Sequence, residues 1–259
     1  MKPKITVVTI TYNAAAVLQR TLDSVLAQSY PYVEHLIVDG ASKDATLAMV
    51  DAYREESMET AASHEVVVCS EPDSGIYDAM NKGLLRATGD YLVFLNAGDT
   101  LPSTDTLELV MDKAGDGVGV LYGDTDVVDG EGNFLYHRRL QPPERLTWRS
   151  FRQGMLVCHQ AFYARTEVAK TQAYDLRYRF SADVDWCIRV MKETERRQLQ
   201  LVNLHTVVAN YMEEGTTTKN HKASLRERYL VMQKHYGVVS TFLMHCWFVV
   251  RAVVKKTTR

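Results

Sequence analysis

The 259-residue chain, 46% hydrophobic and 24% charged, reads as an ordinary folded protein of one large domain or one and a half, with a substantial core. Its four cysteines, Cys69, Cys158, Cys187 and Cys246, lie far apart with no CxxC pair, which argues against a zinc site or a disulfide framework and fits a reducing cytosol. The net charge of −2 conceals a division: residues 216–259 hold nine Lys and Arg against one acid, Glu227, while the rest hold 21 basic and 31 acidic groups.

The N-terminal "MKPKITVVTITYN" reads as a first strand, because its apolar stretch is short and no small-residue cleavage site follows. "AAAVLQRTLDSVLAQ" reads as an amphipathic helix, "VEHLIVDG" as a strand, "DATLAMVDAYREES" as a helix and "HEVVVCS" as a strand. "IYDAMNKGLLRAT" and "DYLVFLN" continue the alternation as helix and strand. Such alternation predicts βαβ units around a mostly parallel central sheet flanked by helices, an α/β fold with right-handed crossovers. Ligands bind such sheets beyond the carboxyl ends of the strands, which points to Thr11, Tyr12 and Asn13, to Asp39 and Gly40, to Glu71 and Asp73, and to Asn96 through Asp99.

The second half is less regular. "GVLYGDTDVVDGEGNFLYHRRL" looks like strands joined by a "DGEGN" turn, and "QPPERLTWRSFRQG" like a loop. "SADVDWCIRVMKETERR" is a helix with Ser181 as N-cap, and "QLQLVNLHTVVANYM" supplies a further strand or two. The closing "STFLMHCWFVVRAVVKKTTR" is too interrupted to span a bilayer, which takes about 20 apolar residues. It reads either as an amphipathic helix lying in a membrane interface with basic anchors, or as a helix packed on the domain whose terminal lysines suit its dipole. With no repeat or linker, the chain divides into a nucleotide-binding half (1–100), an acceptor and catalytic half of the same domain (101–215) and a basic helical tail (216–259).

Neither G-x-G-x-x-G opening a helix nor G-x-x-x-x-G-K-[ST] occurs, so the two standard phosphate cradles are missing. The carboxylate ending the fourth strand, Asp99, offers another route: a hard divalent cation held by one or two carboxylates and completed by water and diphosphate oxygens. The structural alternative is that Asp99 caps a helix starting near Ser103 or turns the chain.

Four segments, "TVVTITYNAAAVLQRTLDSVLAQSY", "LIVDGASKDAT", "SEPDSGIYDAMNKGLLRATGDYLVFLNAGD" and "FSADVDWCIRV", together resemble the family 2 glycosyltransferases of the GT-A fold, particularly bacterial enzymes of polysaccharide and O-antigen assembly. The resemblance covers most of residues 4–195 and fades after about Met212. It implies inverting transfer of a sugar from a nucleotide diphosphate donor, commonly UDP-linked, to a hydroxyl of a polysaccharide or lipid-linked acceptor at the inner face of the membrane, with no nucleic-acid partner. On this resemblance Thr9, Tyr12 and Asn13 line the nucleotide pocket, Asp39 bonds the base, and Asp73 lies beside base and ribose. Each also has a plain structural alternative as strand, turn or solvated loop residue. Lys82, in the helix that also carries Asn81, either reaches the diphosphate or is an exposed helix lysine.

The family's Asp-x-Asp-Asp cluster is replaced here by Asn96, Ala97, Gly98 and Asp99. Asp99 is then the ligand for Mg²⁺ or Mn²⁺ and Asn96 a ribose contact, and a lone carboxylate makes metal binding depend on the donor. Asp183 aligns with the family's general base. Asp185, two positions on, points to another side of the helix and has Arg189 at i+4 as an ion-pair partner. His159 is either an acceptor or diphosphate contact or a core histidine, and Trp148, Trp186 and Tyr77 either stack on sugars or belong to the core. "RQG" at 152–154 and "EEGTTTKNH" at 213–221 look like loops that close over the donor, with His221 a ligand or a solvated residue. Two rivals stand beside this reading: a sugar-1-phosphate nucleotidyltransferase, whose glycine-rich basic N-terminal loop is missing, and a non-catalytic nucleotide-sugar-binding scaffold, suggested by the thinned acid cluster.

Overall fold

The computed structural model describes residues 2–60, 64–213 and 221–257. Its first part runs β1 (Ile5–Thr11), α1 (Ala15–Leu26), β2 (Val33–Asp39), α2 (Thr46–Glu59), β3 (Glu65–Ser70), α3 (Ile76–Arg86) and β4 (Tyr91–Phe94). Every residue of β1, β2 and β4 is buried, as expected of parallel strands covered by helices on both faces. β1 pairs in parallel with β2 and β4, and β2 in parallel with β3. α3 packs so closely on this sheet that a Cβ at Gly83 would stand 2.6 Å from Val8 Cγ1.

Beyond β4 the chain forms α4 (Thr106–Met111), β5 (Val118–Val128), β6 (Phe134–His137), 3₁₀ turns at Trp148–Gln153 and His159–Ala161, and β7 (Phe162–Arg165). α5 (Thr166–Ala169), α6 (Ala182–Arg196) and β8 (Gln200–Met212) follow. The strand order is β3-β2-β1-β4-β7-β5-β6, with β8 also on β5. β7 runs antiparallel between β4 and β5, whereas β8 lies parallel to β5 with bulges. The α/β architecture expected from the alternating pattern is therefore present, as is the hairpin: Asp129 organises its turn by accepting the amides of Glu131 and Asn133, each at 2.9 Å. The "strand or two" of residues 198–212 is one strand, and the loop-like 141–154 contains a 3₁₀ turn.

The tail consists of α7 (His221–Tyr236) and α8 (Val238–Thr257), separated at Gly237, whose φ of +81° suits glycine. α7 docks on the start of α6. Glu227 accepts the amides of Arg179 (2.9 Å) and Phe180 (2.6 Å), and the Ser181 hydroxyl donates to the Ser224 carbonyl. Ser181 is the N-cap residue of α6 as expected, but its side chain makes no capping bond to the helix. α8 leaves Val238, Val239, Phe242, Leu243 and Trp247 exposed, and among the described residues no helix is long and apolar enough to cross a membrane. Most of the expected closing loop at 213–221 lies outside the described residues, as does the side chain of His221.

Candidate active site

The C-terminal ends of β1, β2 and β3 converge. A Cβ on Gly40 would stand 2.4 Å from Asp73 Oδ2 and 3.2 Å from Tyr12 Cδ2, so the bare glycine lets these two side chains meet. Tyr12 is 66% exposed, a ring open to a planar ligand. Asn13 adopts φ +48°, receives the Lys43 amide on Oδ1 and donates its own amide to Ser42 Oγ. Asp73 Oδ1 accepts the Gly75 amide at 2.8 Å, shaping the turn into α3.

Asp39 is only 1% exposed. Its oxygens accept the Thr11, Ser42 and Ser70 hydroxyls and the Ser42 amide. Burial raises its pKa, yet these bonds outweigh burial and hold the carboxyl below the usual range. Asp39 thus fixes the loop after β2 with its charge retained. Thr9 is fully buried, and its hydroxyl lies between the Leu95 carbonyl (2.8 Å) and His35 Nε2 (2.9 Å); it supports the strand ends from within.

At the end of β4, Asn96 Oδ1 is buried with no hydrogen-bond partner. Three residues on, Asp99 is 4% exposed; Oδ1 accepts the Met212 amide (3.0 Å) and Oδ2 the Gln160 amide (2.7 Å). Burial pushes its pKa up to about 7 against the pull of these donors. Among the described residues no group of three or more His, Cys, Asp and Glu is gathered for a metal. The oxygens that fit a hard divalent cation are Asn96 Oδ1 and the one lone pair remaining on each Asp99 oxygen. Water and diphosphate oxygens would complete such a set.

Asp183 sits in the first turn of α6, half-buried, and accepts the Tyr77 hydroxyl on Oδ1 at 3.1 Å. Asp185 is fully buried and faces elsewhere, bonded to Arg189 Nε (2.7 Å), Lys234 Nζ (2.8 Å) and His235 Nε2 (2.8 Å). Burial raises its pKa, but these three donors hold the carboxyl far below the usual range.

His159 and Trp186 are core residues: the His159 ring stacks on Phe94 and its Nε2 meets the Tyr174 hydroxyl at 2.6 Å. Lys82 bonds the Pro72 carbonyl, close to Asp73 in the chain. Gln160 forms with His159 a His-Gln pair of the kind found in the family that the chain resembles, and the structure places its amide on Asp99, 61 positions earlier. Sequence reasoning passed over the Ser42 and Ser70 hydroxyls on Asp39.

Burial pushes the pKa of His159 down to about 4, partly opposed by the field of Asp183. The folded state holds this imidazole neutral, so its contribution is present above about pH 6.5 and is lost as pH falls toward 4. Replacing it by His159→Asn should flatten the stability–pH curve between about pH 6 and 4 by roughly 1.4 kcal/mol per pH unit, measured by urea unfolding. Asp99, whose pKa is raised, works with the opposite sign over the same interval, so the difference between wild type and variant isolates the histidine.

The model of the family described as Glycosyl transferase family 2 matches residues 6–171. A PGL/p-HBAD biosynthesis glycosyltransferase of Mycobacterium bovis is 35% identical over 216 residues, covering 82% of this chain and 78% of that one. The crystal structure of S. aureus TarS in complex with UDP-GlcNAc aligns with a TM-score of 0.65 at 17% identity, covering 89% of this chain and 66% of that one. The mannosyltransferase PcManGT from Pyrobaculum calidifontis, in complex with GDP-Man and Mn²⁺, aligns with a TM-score of 0.64 at 18% identity, covering 95% and 69%. At these identities the structural likeness concerns the fold, a mostly parallel α/β sheet flanked by helices of the GT-A kind.

Proposed function

The chain belongs to glycosyl transferase family 2 and is a glycosyltransferase; from that premise we propose that it inverts the anomeric centre while moving a sugar from a UDP-linked donor to a hydroxyl of a polysaccharide or lipid-linked acceptor. The observation that carries this reading is Asp183 in the first turn of α6, half-buried with only Oδ1 engaged, by the Tyr77 hydroxyl, in a chain whose other candidate carboxylate, Asp99, is buried just beyond β4. Asp183, half-buried and hydrogen-bonded through one oxygen, takes the proton of the attacking hydroxyl. Tyr12, Asn13 and Asp73 receive the nucleoside at the strand ends, with Asp39 and Thr9 holding those ends in place and Asn96 touching the ribose. Mg²⁺ or Mn²⁺, held by Asp99 and Asn96 Oδ1, would supply charge stabilisation to the departing diphosphate. The UDP-GlcNAc and Mn²⁺ complexes of the two structural neighbours support donor and metal classes of this kind.

Calorimetric titration of UDP into the protein with Mn²⁺ and with chelator tests the donor site. Binding should be tighter with Mn²⁺, and Asp99→Asn should lose that increment while keeping metal-free binding. Absence of UDP binding in both conditions would remove the UDP assignment.

The tail reads as a peripheral membrane contact at the inner face. The exposed Phe242, Leu243 and Trp247 of α8 belong to a segment with nine basic residues and one acid, a combination suited to anionic lipid surfaces. Co-sedimentation with vesicles of anionic phospholipid should be strong at low salt and weak at high salt or with zwitterionic lipid. Phe242→Glu with Trp247→Glu should abolish it without altering UDP affinity.

A further inference from the structure

We propose that Tyr77 is a positioning residue for Asp183, holding its Oδ1 so that Oδ2 is the oxygen that receives the acceptor proton. This rests on the assignment of Asp183 as the base. α6 begins without a side-chain cap, because the Ser181 hydroxyl is turned to the Ser224 carbonyl of α7. The Tyr77 hydroxyl donates to Asp183 Oδ1 at 3.1 Å. One phenol from α3 therefore holds the side chain of the residue 106 positions later.

The phenol is itself held rigidly. Its ring stacks on Tyr174 with centroids 5.7 Å apart, and Tyr174 stacks on Trp186 at 5.0 Å. Asn81, one turn further along α3, clamps the Tyr174 backbone in both directions: its Nδ2 donates to the carbonyl at 3.1 Å, and its Oδ1 accepts the amide at 2.6 Å. α3 starts just after the Asp73 turn, so the element that ends the donor loop also seats the base. That arrangement gives "GIYDAMNKG" a role in which Tyr77 and Asn81 act across the domain rather than on a sugar.

The titratable groups on which the charge of Asp183 acts come from several elements: Tyr77 from α3, Cys158 and His159 from the second 3₁₀ turn and the residue before it, Tyr174 from the loop before α6, Cys187 from α6 and Tyr211 from β8. Glu227 of α7 acts on Tyr77 itself. Burial keeps the histidine, thiols and phenols uncharged near neutrality. Tyr77 is the side chain that hydrogen-bonds Asp183 among the described residues.

The experiment compares Tyr77→Phe, which keeps the stacked ring, with wild type by UDP release from a UDP-sugar, reading kcat and KM separately. kcat should fall about tenfold to a hundredfold, with KM for the donor and UDP affinity within about twofold of wild type. A folded Tyr77→Phe protein with wild-type kcat would reduce Tyr77 to packing and overturn the proposal. Asp183→Asn run alongside separates the two failures. If that variant keeps more than about one tenth of wild-type turnover, the base assignment fails; if it falls below that while Tyr77→Phe keeps its kcat, the positioning role alone fails.

Discussion

Asp183→Asn is expected to bind UDP as wild type does and to lose about 10²- to 10⁴-fold in turnover, the range a positioned general base contributes. The substitution keeps shape and retains an oxygen for the Tyr77 hydroxyl, which donates to Oδ1 in the native protein, so the start of α6 should persist. What disappears is the capacity to accept a proton. Asp185 offers no substitute two positions away, because it is fully buried and both its oxygens are engaged by Arg189, Lys234 and His235. Calorimetry of UDP binding and a UDP-release assay on the same preparation check both halves. Turnover above about one tenth of wild type would show that the proton leaves by another path.

The second large effect concerns stability. Asp185→Ala should destabilise the fold by about 3 kcal/mol, the lower end of the cost of leaving buried charges without their partner. The lower end applies because the Lys234 side chain keeps 36% of its exposure and can turn to water, whereas Arg189 is 20% exposed. For a chain of this length that corresponds to roughly 6 to 12 °C in Tm. The same carboxylate joins α6 to α7, so limited proteolysis should release the tail earlier in the variant. Asp185→Asn, which keeps two polar atoms in place, should fall between the two. An unchanged Tm and cleavage pattern in Asp185→Ala would mean that Glu227 and Ser224 alone suffice to dock the tail.

The first hundred residues were legible because their information is local. Buried strands and amphipathic helices announce themselves by periodicity, and β1 to β4 with α1 to α3 follow the predicted order. The strand-end rule likewise placed Tyr12, Asn13, Asp39, Asp73 and Asn96 on one edge. Partnerships across the chain were not legible. That Asp39 would meet Ser70, or that Tyr77 would meet Asp183, depends on side chains 31 and 106 positions apart that no period links. Asp185 shows both cases in one residue: Arg189 at i+4 was visible as a helix pair, whereas Lys234 and His235, 49 and 50 positions on, became neighbours only through the packing of α7. β7 and α5, four residues each, are too short to carry a pattern.

The two donors on Asp99 come from residues 61 and 113 positions later in the chain. On the ribosome, where N-terminal segments emerge first, the first hundred residues are made before either donor to Asp99 exists. Its full enclosure waits for the last strand of the sheet. A nascent chain stalled before residue 200 lacks the Met212 amide on this carboxylate, and arrival of β8 completes the surroundings in which burial holds its pKa above the ordinary range.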